Sequence, residues 1–175
     1  LTRELRSLNP DTEVFGLGGS RLAEAGGRLM ADYAGLAATG ITEALAVLPH
    51  TWKIYRRLVR EVRRERPDVF VAIDFPEVNF RLGMAMAALG VPVVYYIGPQ
   101  AWAWRRGRFR TMRRFVSRAL VIFPFETQIY RDAKIPVEFV GHPLLDFAAP
   151  SSPPRAFRKQ HGLEEDAPTV AILPG

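Results

Sequence analysis

The chain has 175 residues, a length that suits an ordinary domain with a sizeable hydrophobic core. Hydrophobic residues make up 48% of the sequence and charged residues 24%, which are values typical of a globular protein and exclude a disordered one. The formal net charge is +6, and the absence of cysteine excludes a disulfide framework and a thiolate metal site.

Apolar runs and amphipathic stretches alternate along the chain. Six runs predict strands: Glu13–Gly16, Val69–Ile73, Val91–Ile97, Ala119–Phe123, Val137–Val140 and Thr169–Leu173. Most are continuously apolar, as expected of parallel strands covered on both faces. The clearest helical stretch is Thr51–Arg66, whose apolar positions follow the spacing i, i+3, i+4, i+7: Tyr55, Leu58, Val59 and Val62. This alternation predicts an α/β fold with a doubly wound parallel sheet.

The span Leu82–Trp104 contains no charged residue and, with 23 positions, is long enough to cross a bilayer. Glycines and prolines interrupt it at five places: Gly83, Gly90, Pro92, Gly98 and Pro99. We therefore interpret it as a helix followed by a buried strand, and we predict no transmembrane segment.

A change in composition marks a boundary between domains. The segment FAAPSSPPRAF, residues 147–157, is rich in proline and serine and is typical of a linker. We predict a first domain over residues 1–148, a linker over 149–155 and the start of a second domain over 156–175, with a helix at Pro154–His161. The chain begins without methionine and ends in a Leu-Pro-Gly turn, and we interpret it as part of a longer protein.

Glycine, polar and aromatic residues follow five of the predicted strands. In an open parallel sheet, ligands bind beyond the carboxyl ends of the strands, so we expect these residues to converge on one edge. The segments concerned are Gly18–Arg21, Asp74–Asn79, Gly98–Trp102, Pro124–Glu126 and Gly141–Pro143. The sequence therefore predicts a ligand site at this edge.

The glycines of GLGGSR do not form a dinucleotide fingerprint, because arginine stands at position 21 where that motif requires glycine. One interpretation is a tight turn from strand to helix, for which glycine supplies backbone freedom. The other is a backbone that approaches a sugar or phosphate closely at Gly18 and Gly19, with Arg21 as the partner of an anion.

The motif DFPEVN also has two interpretations. Asp74 followed by Glu77 fits a variant of the capping box at a helix start, with Pro76 in the first turn. The alternative is a general base held at the edge of the sheet, since a carboxylate can accept the proton of an attacking hydroxyl.

Two further motifs combine polar turns with ring side chains. In GPQAWAW, residues 98–104, Trp102 and Trp104 either attach the next helix to the sheet or stack against sugars. In GHP, His142 either serves a turn or contacts a phosphate or sugar hydroxyl.

Basic residues are concentrated in two runs, Lys53–Arg66 and Arg105–Arg118, each with seven lysines or arginines. Such runs are most often solvated helix faces. No nucleic-acid motif accompanies them and no aromatic residues are interleaved as stacking platforms, so we predict no nucleic-acid partner. Among macromolecular partners, an anionic membrane surface is favoured.

Several strings occur together in the order and approximate spacing of one bacterial family. They are GLGGSRL, AIDFPEVNFRL, VPVVYYIGPQAWAWR, ALVIFPFE, VEFVGHPLLD and AILPG. Over essentially its whole length the chain resembles the lipid-A-disaccharide synthases. This resemblance implies the N-terminal, acceptor-side half of an inverting glycosyltransferase of the GT-B type, with Rossmann-like domains. The family's first strand would precede Leu1, and most of the nucleotide-side domain would follow Gly175.

The resemblance implies transfer from UDP-2,3-diacylglucosamine to 2,3-diacylglucosamine 1-phosphate, which gives lipid A disaccharide 1-phosphate and UDP. Asp74 and Glu77 are then the candidate bases, and the choice between them stays open. The residues expected to orient sugar hydroxyls or phosphate are Asn79, Gln100, Glu126 and His142. The other predicted substrate-binding residues are Gly18, Gly19, Arg21, Trp102, Trp104 and Gly141. The family pattern often has serine at position 98, where this chain has glycine.

The resemblance further implies a cytoplasmic enzyme bound peripherally to the inner face of the inner membrane, with Trp102, Trp104 and the arginines after them facing lipid. A homo-oligomer is compatible with it. No cofactor or metal is expected, and the three histidines lack the spacing of metal ligands. We expect the chain by itself to be inactive.

Two alternatives stay open. One is a related GT-B enzyme that acts on UDP-sugars, such as the peptidoglycan glucosaminyltransferase or a UDP-sugar epimerase. The other is a non-enzymatic module that binds anionic surfaces through its basic faces and does not need Asp74 or Glu77.

Overall fold

The computed structural model describes residues 1–32, 41–105 and 107–172, and for positions 41–51 and 104 it describes the backbone alone. The chain divides into two compact units, Leu1–Val140 and Gly141–Gly175. The division places Gly141 and His142 in the second unit, whereas the predicted boundary at residue 148 rested on composition and stays a prediction.

Six parallel strands and seven of the described helices make up the first unit. The strands are β1 (Phe15–Gly18), β2 (Arg28–Asp32), β3 (Phe70–Ile73), β4 (Val93–Tyr96), β5 (Arg118–Val121) and β6 (Val137–Phe139). The helices are α1 (Thr2–Leu8), α2 (Ser20–Glu24), α3 (Ile41–Glu65), α4 (Pro76–Ala88), α5 (Ala101–Trp104), α6 (Arg108–Met112) and α7 (Glu126–Asp132). The prediction of a parallel α/β fold is confirmed.

The strands form two sheets rather than a single one. One sheet has the order β3-β4-β5-β6, and β1 pairs with β2 in the other, with every pair parallel. The sequence analysis did not predict β2, because its charged ends, Arg28 and Asp32, leave an apolar run of only three residues between them. Within the described chain, β1 and β3 each pair on one side only.

An apolar cavity of about 480 Å³ lies between the two sheets. It is lined by Phe15 and Leu17 of β1, by Phe70 and Val71 of β3, and by side chains of α3 and α4. The unpaired edges of β1 and β3 leave backbone N–H and C=O groups that a further element could pair with, and the cavity lining leaves apolar surface that it could cover.

The core is built on the inward residues of the four-stranded sheet. Ala72, Val93 and Tyr95 are fully buried, and Leu82 and Met86 of α4 pack in the same hydrophobic cluster. The apolar stripe predicted on α3 is confirmed, since Leu58 and Val62 are buried and the basic residues from Lys53 to Arg66 are exposed.

The span from Leu82 to Trp104 divides as the sequence analysis predicted. Helix α4 ends at Ala88, Gly90 adopts a φ of +79°, and the buried strand β4 begins at Val93. Among the residues that the structure describes, no helix combines the length and apolar character needed to span a bilayer.

The second unit contains a short 3-10 helix, Pro143–Asp146, and helix α8, Pro154–Gln160. The helix predicted at Pro154–His161 is thereby confirmed. The strand predicted at Thr169–Leu173 was wrong over its described residues, 169–172, where the backbone is irregular. Val170 and Ile172 are 87% and 85% exposed, because no neighbouring strand in this unit pairs with them.

Candidate active site at the carboxyl edge of the four-stranded sheet

Within the first unit, three of the predicted segments leave the same edge of the four-stranded sheet. Ile73 at the end of β3 pairs in register with Tyr96 at the end of β4, and Tyr96 pairs with Leu120 near the end of β5. The loops that carry Asp74, Gln100 and Glu126 therefore begin side by side. The predicted convergence is confirmed for these three strands.

Asp74 is exposed directly after β3, in a turn with an unusual backbone. Both Asp74 and Phe75 are left-handed, with φ values of +43° and +41°, a conformation that residues with a Cβ atom rarely adopt. Phe75, not Asp74, is the N-cap of α4, and no side chain caps this helix. The capping-box interpretation of Asp74 was therefore wrong, because the left-handed turn moves the helix start one residue further on.

Glu77 lies in the first turn of α4 and forms an ion pair with Arg108 at 3.0 Å. Partial burial of the Glu77 carboxyl would raise its pKa. The hydrogen bonds from Arg108 and from its own backbone N–H, with the charges of Arg108 and Arg105, outweigh burial and lower that pKa. Glu77 is thus an ionised carboxylate already engaged by a guanidinium, which is held in turn 5.4 Å over the Phe80 ring.

Asn79 contacts the main chain of the Asp74 turn. Its Nδ2 group donates to the carbonyl oxygens of Ile73 at 3.0 Å and of Asp74 at 2.6 Å. The hydroxyl of Tyr95 donates to the same Asp74 carbonyl at 2.9 Å. The sequence analysis missed Tyr95, because a tyrosine inside an apolar strand carries no local signal of a polar contact.

Trp102 and Glu126 are brought together from different loops. The indole Nε1 of Trp102 donates to Oε1 of Glu126 at 3.1 Å, and the backbone N–H of Phe123 donates to Oε2 at 3.2 Å. Glu126 is only 2% exposed, and both of its carboxylate oxygens accept hydrogen bonds from groups of the protein. Its predicted role toward a sugar stays a prediction.

An aromatic cluster of Trp102, Phe123 and Phe125 lies on these same loops. Trp102 meets Phe125 edge-on at 5.2 Å, and Phe123 stacks on Phe125 at 5.7 Å. Phe125 is 52% exposed and so presents apolar surface beside polar groups. Gln100 is exposed at the N-cap of α5, whereas the side chain of Trp104 and all of Arg106 lie outside the described residues.

Gly18, Gly19 and Arg21 belong to the other sheet and the helix that follows it. A Cβ atom on Gly18 would lie 2.6 Å from Cδ2 of Leu22, so packing of α2 against β1 accounts for this glycine. Gly19 is the N-cap of α2, and Arg21 is exposed. The tight turn from strand to helix is confirmed, and their contact with substrate stays a prediction.

In the second unit, Gly141 has a φ of +81°, which favours glycine. His142 is the N-cap of the 3-10 helix, and its Nδ1 accepts a hydrogen bond from the Leu144 N–H at 3.2 Å. The local turn role is thereby confirmed, and a role of either residue toward substrate stays a prediction.

The first unit is a Rossmann-like α/β domain. Carboxylates, a guanidinium and aromatic rings lie on the loops and first helix turns that follow the carboxyl ends of its strands, where folds of this class bind their ligands. The family model described as lipid-A-disaccharide synthetase matches residues 1–175, the whole chain. The protein belongs to this family.

Curated relatives agree with this assignment. The chain is 47% identical over 172 residues to lipid-A-disaccharide synthase of Koribacter versatilis, covering 98% of this chain and 45% of the relative. It is 43% identical to the Myxococcus xanthus synthase and 42% identical to that of Solibacter usitatus, in both cases over all of this chain and 46% of the relative. The chain thus spans slightly less than half the length of these relatives.

Proposed function

We propose that this chain is the acceptor-side half of an enzyme that transfers a glucosaminyl group in lipid A biosynthesis. The donor would be UDP-2,3-diacylglucosamine and the acceptor 2,3-diacylglucosamine 1-phosphate. The primary hydroxyl oxygen of the acceptor forms a bond to the anomeric carbon of the donor while the bond from that carbon to the UDP oxygen breaks. UDP leaves with the bond electrons, and a carboxylate of the protein takes the hydroxyl proton.

The observation that carries this proposal is the exposed carboxylate of Asp74 in a held turn at the carboxyl edge of β3. We assign the proton to Asp74 rather than to Glu77. The ion pair with Arg108 occupies an oxygen of Glu77 and lowers the pKa of that carboxyl below its ordinary value, whereas Asp74 is exposed beyond the end of β3. The rigid backbone of Asp74 suits a group that must meet a hydroxyl at hydrogen-bond distance.

Family membership supports the substrate class, and the aromatic cluster supports contact with amphipathic molecules. Phe125 offers exposed ring surface beside Trp102, which suits a sugar face or the start of an acyl chain. Gln100 and Arg105 are exposed on the neighbouring loop and supply a hydrogen-bonding amide and a positive charge for hydroxyls or phosphate.

We further propose that the complete enzyme supplies one more strand beside this sheet pair and the half that binds the nucleotide. One additional strand would fit between β1 and β3, where both unpaired edges and an apolar lining surround the cavity. The nucleotide would be held by the remaining half of the enzyme, since the chain covers only 45–46% of its relatives. By itself the chain would then lack transferase activity.

The proposed substrates carry acyl chains, so the enzyme would act at a membrane surface as a peripheral protein on the inner face of the inner membrane. The exposed basic residues of α3 and of the segment after Trp104 support this proposal, because anionic headgroups attract such faces.

The test of the proposed reaction compares two isosteric variants in a full-length enzyme that carries this chain. Both diacyl sugars are supplied, and UDP release and disaccharide phosphate are measured. Asp74→Asn should lower kcat by about a hundredfold or more, because the proton acceptor is lost. Glu77→Gln is the matched control and should lower it by less than about tenfold.

Absence of disaccharide from a folded wild-type enzyme would overturn the proposed function. Disaccharide formation with the larger loss in Glu77→Gln would keep the function and overturn the assignment of the base.

A further inference from the structure

The turn between β3 and α4 has two consecutive left-handed residues, neither of them glycine. Asp74 has a φ of +43°, and Phe75 has a φ of +41° with a ψ of +62°. This conformation brings Cβ close to the backbone, so a short turn keeps it only when the surroundings hold it.

Three hydrogen bonds from two side chains hold this turn. Asn79 donates to the carbonyls of Ile73 and Asp74 at 3.0 and 2.6 Å, and Tyr95 donates to the carbonyl of Asp74 at 2.9 Å. All three end on main-chain oxygens, so they fix the backbone from which the Asp74 carboxylate projects. The two donors come from different elements, α4 and β4, and therefore hold the turn from two sides.

Tyr95 is itself held rigidly. Its side chain is fully buried, and its ring meets the Phe80 ring edge-on at 6.3 Å. Burial, reinforced by the negative charge of Asp74, raises the pKa of the Tyr95 phenol, so that the hydroxyl keeps its proton and remains a donor.

We propose that Tyr95 and Asn79 are positioning residues, which hold the Asp74 carboxylate in the direction required to accept the hydroxyl proton of the acceptor. This inference rests on the proposed function. Neither residue needs to touch substrate; each acts through the main chain of Asp74. It assigns Asn79 a different task from the sugar contact that the sequence predicts.

The first test is Tyr95→Phe in the full-length enzyme, which removes the hydroxyl and keeps the ring. Loss of one of the bonds on the Asp74 carbonyl should lower kcat about tenfold, equal to about 1.4 kcal/mol in the barrier, with KM changed by less than about twofold. Tyr130→Phe is the matched control. Tyr130 is also fully buried, and its hydroxyl donates a hydrogen bond to the Pro99 carbonyl at 3.4 Å. Removal of that hydroxyl should change kcat by less than about twofold.

The second test separates positioning from mere stability by repeating Tyr95→Phe in the Asp74→Asn background. If Tyr95 acts by aiming the Asp74 carboxylate, the tenfold factor disappears once that carboxylate is gone. The same factor in both backgrounds would overturn the inference, as would a Tyr95→Phe enzyme with the wild-type kcat at a temperature where it is folded.

Asn79→Ala provides an independent variant if Tyr95→Phe does not fold. It removes both bonds from Asn79 and should lower kcat at least as far as Tyr95→Phe, again only while Asp74 is present. Wild-type kcat in folded Asn79→Ala would overturn the inference. An inactive wild-type enzyme would instead signal failure of the proposed function, so the two failures are distinguishable.

Discussion

At the scale of single residues, Glu126 shows how a predicted binding group can serve the architecture of a site. Its buried carboxylate accepts hydrogen bonds from the Trp102 indole and the Phe123 N–H, and so joins the loops after β4 and β5. A buried carboxylate with two donors is stabilised only while both donors face oxygen. Loss of Oε1 removes the bond between the two loops, and loss of Oε2 removes a local bond within the loop after β5.

We expect Glu126→Gln to lower the free energy of unfolding by about 1–3 kcal/mol, because the new NH₂ group must face one of the two donors. Urea denaturation of the full-length protein, followed by tryptophan fluorescence, measures the change. Glu138→Gln is the control. Glu138 pairs with Arg118 at 3.1 Å on an exposed surface, and its loss should change stability by less than about 0.5 kcal/mol. Equal effects of the two variants would contradict the structural role of Glu126.

Gly98 is a second residue whose identity depends on a neighbouring side chain. A Cβ atom at this position would lie 2.2 Å from the hydroxyl oxygen of Tyr130. That hydroxyl donates to the carbonyl of Pro99, the next residue along the chain. The buried phenol of Tyr130 thus occupies the space in which a side chain at position 98 would begin, so glycine fits there and serine would not fit without a shift of Tyr130.

At the scale of elements, helix α4 carries the turn of Asp74 and packs against the core through Leu82, Gly83 and Met86. Gly83 is within the helix, where alanine is normally more favourable by about 1 kcal/mol. Here a Cβ atom would lie 2.5 Å from two ring carbons of Phe115, which is itself buried and packed edge-on against Phe80 at 5.4 Å.

We therefore expect Gly83→Ala to destabilise the full-length protein by about 1–3 kcal/mol, opposite in sign to the helix propensity. Gly107→Ala is the control. Gly107 has a φ of −59°, and among the described residues other than its chain neighbours no atom lies within 4 Å of its Cβ position, so stability should change by less than about 0.5 kcal/mol. Thermal melting of both variants measures the difference. A Gly83→Ala protein more stable than wild type would contradict the close packing of α4 on Phe115.

The sequence predicted elements well where the hydrophobic periodicity is strong, and poorly where a strand forms only because a neighbouring strand pairs with it. The stripe on α3 and the buried strand β4 follow from local pattern alone, because each side chain faces the core or water according to its position. Strand β2 and residues 169–172 are opposite failures. The polar ends of β2 conceal a paired strand, and an apolar run at 169–172 has no partner. Strands require neighbours, and neighbours are not visible in a single segment.

At the scale of the whole molecule, the net charge of +6 is unevenly distributed, with seven basic residues between Lys53 and Arg66. We expect the full-length protein to sediment with vesicles that contain anionic lipid, and to do so less as salt is raised. Replacing Arg56, Arg57 and Arg60 together by glutamine should weaken vesicle binding at least about tenfold, because each basic residue near the surface contributes about 1 kcal/mol.

The control for this experiment removes the same charge elsewhere, with glutamine at Arg3, Arg131 and Lys159. These residues are exposed and lie outside both basic runs. Binding should then fall by much less than in the triple variant of α3. Vesicle binding that does not depend on salt or on the anionic lipid fraction would contradict the proposal that this basic face of α3 binds the membrane surface.

The sequence by itself determined the parallel α/β class, the amphipathic helix and the strand ends at which Asp74 and Glu126 stand, because side-chain pattern and turn composition are local properties. Only the tertiary structure decided which groups meet. Tyr95 reaches the Asp74 carbonyl across 21 positions, Trp102 reaches Glu126 across 24, and Arg108 reaches Glu77 across 31. Contacts at such separations depend on which strands lie side by side and on the direction of each loop. Periodicity within one segment carries no information about either.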